Sequence, residues 1–223
     1  MKPDIAERKS VKLETSEYSA GPLYNRYMGK CLQVVFTVDE SAVAENALTH
    51  RDVLMLVKTV VDPIEAPSDN GVLFEGKHFN FQSDVPLRIS SACLHGSLGD
   101  TDCLCHQETI AYMEQIREHG YGVFVYLPQD AQGRGLRNKV RDHRLIHGVD
   151  NQGQKIESVS AEESFRILYP EGYDIRRYMV LKEIFSKLGL ADIRFRYLGE
   201  GEDKRRQIVD EARLLIGSVL KEL

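Results

Sequence analysis

The sequence predicts an α/β fold, a layered mixed β-sheet with flanking helices. Short apolar runs alternate with amphipathic stretches along much of the 223 residues, so strands and helices should follow one another. The segment 122–129 (GVFVYLPQ) is almost continuously apolar, which is typical of a buried strand. Gly120, Gly148 and Gly189 follow amphipathic stretches, and helices commonly end at glycine.

In the first half of the chain we predict a loose arm, strands, a hairpin, a loop and one segment of undecided type. Residues 1–30 are rich in charged residues and in Ser, Tyr and Gly, and we expect a loose arm there. The apolar segment 50–62 fits a helix or a long strand, and its pattern does not decide between them. The other predicted elements are, in order, a strand at 32–38, a loop at 62–71, a hairpin at 72–81 that turns at Gly76, and a strand at 85–90.

In the second half, predicted helices alternate with strands. They are, in order, a helix at 107–120, a strand at 122–129, a basic helix at 136–148, a helix with the capping pattern Ser160–Glu163, a helix at 174–189 with Asp174 as N-cap, a strand at 192–198 and a closing amphipathic helix at 202–223. We expect one main domain at residues 72–223, preceded by an N-terminal elaboration at residues 1–71 that is partly loose.

The composition restricts the class of protein. A net charge of −5 argues against a nucleic-acid scaffold. The apolar runs are too short to span a bilayer, and the polar N-terminal stretch lacks the apolar segment of a secretory signal. We therefore expect a cytoplasmic protein without a membrane or nucleic-acid partner. Its thiols should stay reduced, and the isolated Cys31 is expected in the core.

Three of the four cysteines lie in one short polar stretch. Cys103 and Cys105 are two apart, so in an extended segment both thiols point to the same side. Cys93 ends a predicted strand, and a Gly- and Asp-containing loop can bring it back to the other two. Three convergent thiolates would suit zinc, either with an open catalytic position or with His95 or His106 closing the site. The alternatives are three small buried residues, or a disulfide, which a reducing compartment disfavours.

Several motifs in a fixed order carry a family resemblance. A strand with Arg88 precedes Cys93 and the pair Cys103-x-Cys105, and the segments VFVYLPQ, DAQGRGLRNK and DIRRY follow. This arrangement resembles GTP cyclohydrolase II, a zinc hydrolase that opens the imidazole ring of guanine and releases formate and pyrophosphate. The resemblance covers residues 85–198 and implies a fold of that type.

The resemblance implies roles for individual residues. Cys93, Cys103 and Cys105 fall on the zinc ligands of the family. Asp174 and Arg176 fall on its D-x-R-x-Y element, where the Asp is the proton acceptor and the Arg attacks or grips the α-phosphate. The resemblance also implies a nucleotide substrate, a homodimer and Zn²⁺ as cofactor, and Mg²⁺ could accompany the nucleotide phosphates.

Six further residues are expected to bind substrate because they stand within these motifs. They are Arg88, Glu108, Asp130, Gln132, Arg134 and His143. Several positions depart from the family pattern. Glu108 replaces a nucleotide-binding Gln, Gln132 replaces a phosphate-facing Arg, and His143 replaces a Tyr. Arg134, shifted by two places, could substitute for the missing Arg. Ala92 replaces an acidic residue, and RYLGEGEDK replaces a T-N-N-P-x-K segment that helps hold the nucleotide.

Lost charged partners in a built pocket weaken binding, so either the substrate or the activity should have changed. The sequence therefore predicts a zinc hydrolase similar to GTP cyclohydrolase II, acting on GTP or a related nucleotide. Its pathway would be riboflavin-type or secondary-metabolite biosynthesis. The alternatives are a homologue that opens the ring of a pyrimidine nucleotide, and a non-catalytic binding or dimer module stabilised by zinc.

Overall fold

The computed structural model of the protein describes residues 13–18, 23–58, 71–74, 77–81, 84–98, 103–172, 174–199 and 201–220. Its strands are β1 (Leu13–Tyr18), β2 (Leu23–Asn25), β3 (Gly29–Val38), β4 (Asp52–Lys58), β5 (Gly71–Phe74), β6 (Lys77–Asn80), β7 (Val85–Ser91), β8 (Gly122–Leu127), β9 (Arg194–Leu198) and β10 (Leu215–Leu220). Its helices are α1 (Glu40–Glu45), α2 (Leu94–Ser97), α3 (Cys105–His119), α4 (Leu136–Ile146), α5 (Ala161–Leu168), α6 (Met179–Lys187) and α7 (Glu202–Ala212), and a 3-10 turn spans Asp130–Gly133. Among these residues, no helix combines the length and the apolar character needed to cross a lipid bilayer.

An eight-stranded mixed sheet organises the described structure. Its strands follow the order β1-β3-β4-β8-β7-β9-β10, and β2 pairs with β3 beside this path. The neighbours from β1 to β8 are antiparallel, whereas β8, β7, β9 and β10 run parallel. β5 and β6 form a separate antiparallel hairpin. The mixed sheet with its helices confirms the predicted fold class.

The parallel half of the sheet positions the candidate site. Because β7, β8 and β9 point the same way, the segments that follow them lie at one edge of the sheet. Cys93 follows β7, the turn Asp130–Gly133 follows β8, and α7 follows β9. Side chains from distant parts of the sequence therefore meet at this edge.

The main hydrophobic core joins both halves of the chain. One buried residue from each of β3, β4, β7, β8 and β9 illustrates it: Val34, Met55, Leu87, Val125 and Phe195. β3 and β4 precede residue 71, so this part of the predicted N-terminal elaboration is built into the common sheet. The domain boundary itself stays a prediction, because residues 59–70 lie outside the described part of the chain. A second cluster contains Cys31, packed with Ile116 and Phe124, as expected of a core cysteine.

Most of the predicted elements are confirmed. The undecided segment 50–62 forms strand β4 over Asp52–Lys58. α3 ends at His119 and is capped by Gly120, whose φ of 94° favours glycine. Ser160 caps α5, and its Oγ accepts a hydrogen bond from the Glu163 N–H at 3.1 Å. Residues 59–62 of that segment, residues 62–70 of the predicted loop, the turn at Gly76 and much of the predicted arm lie outside the described residues.

The predicted closing helix at 202–223 is wrong in its second half. α7 ends at Ala212, Arg213 adopts a left-handed φ of 56°, and the chain continues into β10. β10 pairs in parallel with β9, so a tertiary hydrogen-bonding partner overrides the helical periodicity of the sequence.

The predicted N-cap at Asp174 is also wrong. α6 begins at Met179, with Tyr178 in the N-cap position, and residues 174–178 are irregular. The Asp174 carboxylate accepts hydrogen bonds from Arg176 instead, and the Ile175 N–H donates to the Gln132 carbonyl at 3.2 Å. These hydrogen bonds satisfy polar groups of the segment, although the segment is not helical.

Candidate functional site

Three thiols meet between the end of β7 and the start of α3. The Cys93 Sγ accepts a hydrogen bond from the Gly96 N–H at 3.4 Å and lies 3.3 Å from the Cys103 Sγ. Cys105 is the first residue of α3, and the three sulfur atoms lie within 4.8 Å of one another. The convergence that the spacing predicted is therefore present.

The thiol cluster has the chemistry and the spacing of a zinc site. Tetrahedral zinc with Zn–S bonds of about 2.3 Å holds its sulfurs about 3.8 Å apart. The Cys93 and Cys103 sulfurs lie 3.3 Å apart and no pair is separated by more than 4.8 Å, which is compatible with that value. A hydrogen bond from Cys105 lowers the pKa of the Cys93 thiol against the effect of burial, while the same contact, together with burial, raises the pKa of Cys105. A Cβ at Gly96 would lie 3.3 Å from the Cys103 Sγ, so the cluster packs tightly against a residue without a side chain.

Neither candidate histidine joins the thiols. In the part of the chain that the structure describes, the group of close ligand atoms consists of three sulfurs and no imidazole nitrogen. The His95 ring packs instead against the His143 ring, with centroids 4.4 Å apart. Three protein ligands are the number found in catalytic zinc sites.

Asp174 and Arg176 form an ion pair that contacts the C-terminal end of β7. The Arg176 Nε donates to both Asp174 carboxylate oxygens, at 2.8 and 3.1 Å, and its Nη2 also bonds that carboxylate. The Arg176 Nη1 donates to the Ser91 Oγ at 3.3 Å, and Ser91 precedes Cys93 by two positions. The predicted catalytic pair thus lies at the strand that carries the first thiol.

Arg88 extends the positive charge of the site. Its guanidinium stacks over the Tyr112 ring at 3.9 Å, and its Nη1 donates to the Leu198 carbonyl at 3.1 Å. The Arg88 Nη2 lies 4.0 Å from the Glu108 Oε2, so these two predicted substrate-binding residues are brought together. A Cβ at Gly199, the residue after β9, would lie 2.7 Å from the Arg88 Nη1, so the guanidinium packs closely against the backbone there.

Lys204, in the first turn of α7, is a residue that sequence reasoning missed. Burial and the charges of Arg176 and Arg88 lower the pKa of Lys204 to about 7, while Asp174 and Glu108 oppose the shift. The available signal was its place in RYLGEGEDK, the segment already aligned with a nucleotide-holding element. A lysine held among arginines at one edge of a sheet is a candidate anion ligand.

Polar atoms without a hydrogen-bond partner occur near Arg88, Arg176 and Lys204 in the described residues. Within the described residues, the Arg88 Nε and the buried hydroxyls of Tyr178 and Tyr197 have no hydrogen-bond partner. Both tyrosines contribute to the electrostatic environment of Arg176. Buried polar groups are rarely left unpaired, so these atoms indicate a place for a polar ligand or ordered water.

The remaining predicted substrate-binding residues make other contacts. Asp130 is buried, and its Oδ2 accepts a hydrogen bond from the Leu94 N–H at 2.9 Å. Arg134 stacks over the Tyr169 ring at 3.9 Å and donates to the Gly172 carbonyl, so it is tied to the segment after α5. Gln132 has a left-handed φ of 57°, and its Oε1 is buried without a partner among the described residues. Substrate binding by these three residues and His143 stays a prediction.

Comparison with known proteins identifies similar sequences. The family model described as GTP cyclohydrolase II matches residues 23–209. GTP cyclohydrolase-2 of Picrophilus torridus is 31% identical over 120 residues, which are 52% of this chain and 60% of that protein. GTP cyclohydrolase-2 of Saccharophagus degradans is 34% identical over 114 residues, 51% of this chain and 52% of that protein.

A longer relative is also similar. The riboflavin biosynthesis protein RibBA of Synechocystis is 34% identical over 114 residues, 51% of this chain and 19% of that protein. The chain thus spans about half the length of the GTP cyclohydrolase-2 relatives and a smaller part of this one. The matched family is the one that the sequence motifs resemble, and its match extends well upstream of residue 85.

Proposed function

Because the chain belongs to the GTP cyclohydrolase II family, we propose that it is a zinc-dependent hydrolase that opens the ring of GTP or a related nucleotide. Formate would be released, with pyrophosphate as a second product, in riboflavin-type or secondary-metabolite biosynthesis. The observation that carries the proposal is the cluster of three thiols, together with the Arg176–Asp174 ion pair that bonds Ser91, two residues before Cys93. A cytoplasmic homodimer is part of the same proposal.

Cys93, Cys103 and Cys105 would hold the metal, since their three soft donors fit zinc in number and spacing. When bound, zinc supplies Lewis-acid polarisation and a water molecule of lowered pKa. The thiols lie between the end of β7 and the start of α3, so a metal bound to them would lie at the same edge of the sheet as Arg176.

Proton transfer and charge stabilisation fall to the neighbouring side chains. Asp174 would move protons to and from the ring, since its carboxylate lies at the site and is oriented by Arg176. Arg176, Arg88 and Lys204 would grip the phosphates and stabilise the charge that develops in the transition state. Mg²⁺ bound to the phosphates would share that charge.

The altered positions favour a substrate that differs from GTP or a weakened use of GTP. Ala92 and Gln132 remove two charged groups of the family pattern. Arg134 is tied to Tyr169 and Gly172, which counts against its replacing the missing arginine. Glu108 places a carboxylate beside Arg88. There it could accept hydrogen bonds from donors on the edge of a substrate ring.

The test is product analysis from a nucleotide panel. The zinc-loaded protein is incubated with purine and pyrimidine nucleotides, with and without chelator, and products are identified by mass spectrometry. Chelator-sensitive release of formate from a purine nucleotide supports the proposal. Ring opening of a pyrimidine nucleotide favours the homologue of that class, and zinc retention without any turnover favours the non-catalytic module.

A further inference from the structure

One face of α7 is directed at the irregular segment 174–178. Lys204, Gln207 and Glu211 are spaced i, i+3 and i+7, so they lie on the same side of the helix. Lys204 lies within electrostatic reach of the Arg176–Asp174 pair. Gln207 and Glu211 instead contact the backbone that carries Arg176.

The contacts of Gln207 and Glu211 are specific to that backbone. The Gln207 Nε2 donates to the Arg176 carbonyl at 2.8 Å and to the Glu211 Oε1 at 3.2 Å. The Glu211 Oε2 accepts from the Tyr178 N–H at 2.6 Å, and its Oε1 accepts from the Arg177 Nη1 at 3.1 Å. The Glu211 side chain is only 11% exposed, so these bonds are largely shielded from water.

The segment needs such partners because α6 begins only at Met179. The backbone groups of residues 174–178 have no helical ladder, and without other partners they could adopt several conformations. The Arg176 guanidinium reaches Ser91 and Asp174 only while this backbone is fixed. A shift of about 1 Å can cost up to about 100-fold in rate when it displaces a catalytic group.

We propose that Glu211 and Gln207 are positioning residues that hold the Arg176 segment against the thiol site. The kinetic part of this proposal rests on the proposed function, whereas the structural part does not. Glu211 serves three donors with two carboxylate oxygens. An amide in its place offers only one acceptor oxygen, so Glu211→Gln cannot keep all three bonds.

The first experiment measures amide hydrogen exchange in the native, full-length protein. Glu211→Gln should accelerate exchange of the Tyr178 amide about tenfold or more, because a single neutral amide oxygen, for which Arg177 and Gln207 also compete, holds that N–H more weakly than a carboxylate. Glu202→Gln is the matched control, since Glu202 lies on the same helix and pairs with Arg205 and Arg206. Unchanged exchange at Tyr178 in Glu211→Gln overturns the proposal.

The second experiment is a double-mutant cycle on turnover. Glu211→Gln and Gln207→Met should each lower kcat about tenfold in the native background and have little further effect in an Arg176→Ala background. An equal loss in both backgrounds would indicate a general structural role and overturn the positioning claim. If the unmutated protein turns over no nucleotide, the proposed function fails, and the exchange rate at Tyr178 alone then decides the proposal.

Discussion

Replacing Lys204 with arginine should remove a pH dependence of substrate binding. A lysine is charged below its pKa, and burial beside Arg176 and Arg88 lowers the pKa of Lys204 to about 7. Such a group is roughly nine-tenths charged at pH 6 and roughly one-tenth charged at pH 8. If the charged form binds the phosphates, KM should rise about tenfold between these two pH values.

The Lys204→Arg variant shows whether the change of KM with pH comes from Lys204 or from another titrating group. Its guanidinium stays charged throughout the range, so KM should remain near its low-pH value up to pH 8. Lys182→Arg, at an exposed position of α6, is the matched control and should keep the native profile. Steady-state formate release at pH 6, 7 and 8 provides the measurement. An unchanged rise of KM in Lys204→Arg would refute the assignment of Lys204 to the anion site.

Three further predictions concern the metal, the backbone and the substrate. Metal analysis should find about one zinc per chain and a large loss in the Cys103→Ser/Cys105→Ser double variant; equal zinc in both would remove the site. Ala131→Gly should raise the free energy of unfolding by roughly 0.5–1 kcal/mol in thermal melts, because Ala131 holds a left-handed φ of 50°. A lower melting temperature in Ala131→Gly would show that the left-handed φ at Ala131 is not a source of backbone strain. With GTP as substrate, this protein should have a far lower kcat/KM than the Picrophilus torridus relative, because Ala92 and Gln132 lack the charges of the family pattern. Equal kcat/KM values would show that other groups compensate.

The sequence predicted the thiol cluster because its determinants are local. Cys103 and Cys105 are two apart at the start of a helix, and Cys93 follows β7 by two residues, so a short connection suffices to bring the sulfurs together. The alternation of apolar and amphipathic segments likewise predicted most elements of the sheet. The order of the strands could not be predicted, because β3 pairs with β4, and β4 pairs with β8, which is remote from it in sequence.

The errors occurred where tertiary contacts override a local pattern. LIGSVL continues the helical periodicity of α7, yet pairing with β9 makes it a strand. Asp is a residue type that is favoured at helix N-caps, but the Asp174 carboxylate accepts a hydrogen bond from Arg176 instead. Lys204 resembles one more surface charge in EDKRR, and only the fold places it beside Arg88 and Arg176.

The most direct test of the central claim is the effect of Arg176→Ala on zinc-dependent formate release. The Arg176 guanidinium is held by Asp174 and by Ser91, two residues before Cys93, and we propose that it acts on substrate there. We predict that the variant keeps its zinc and a near-native Tm while turnover of the best nucleotide falls about 100-fold or more. Arg166→Ala, at an exposed ion pair on α5, is the control and should retain full activity. Unchanged turnover in Arg176→Ala, with zinc and fold intact, would contradict the account.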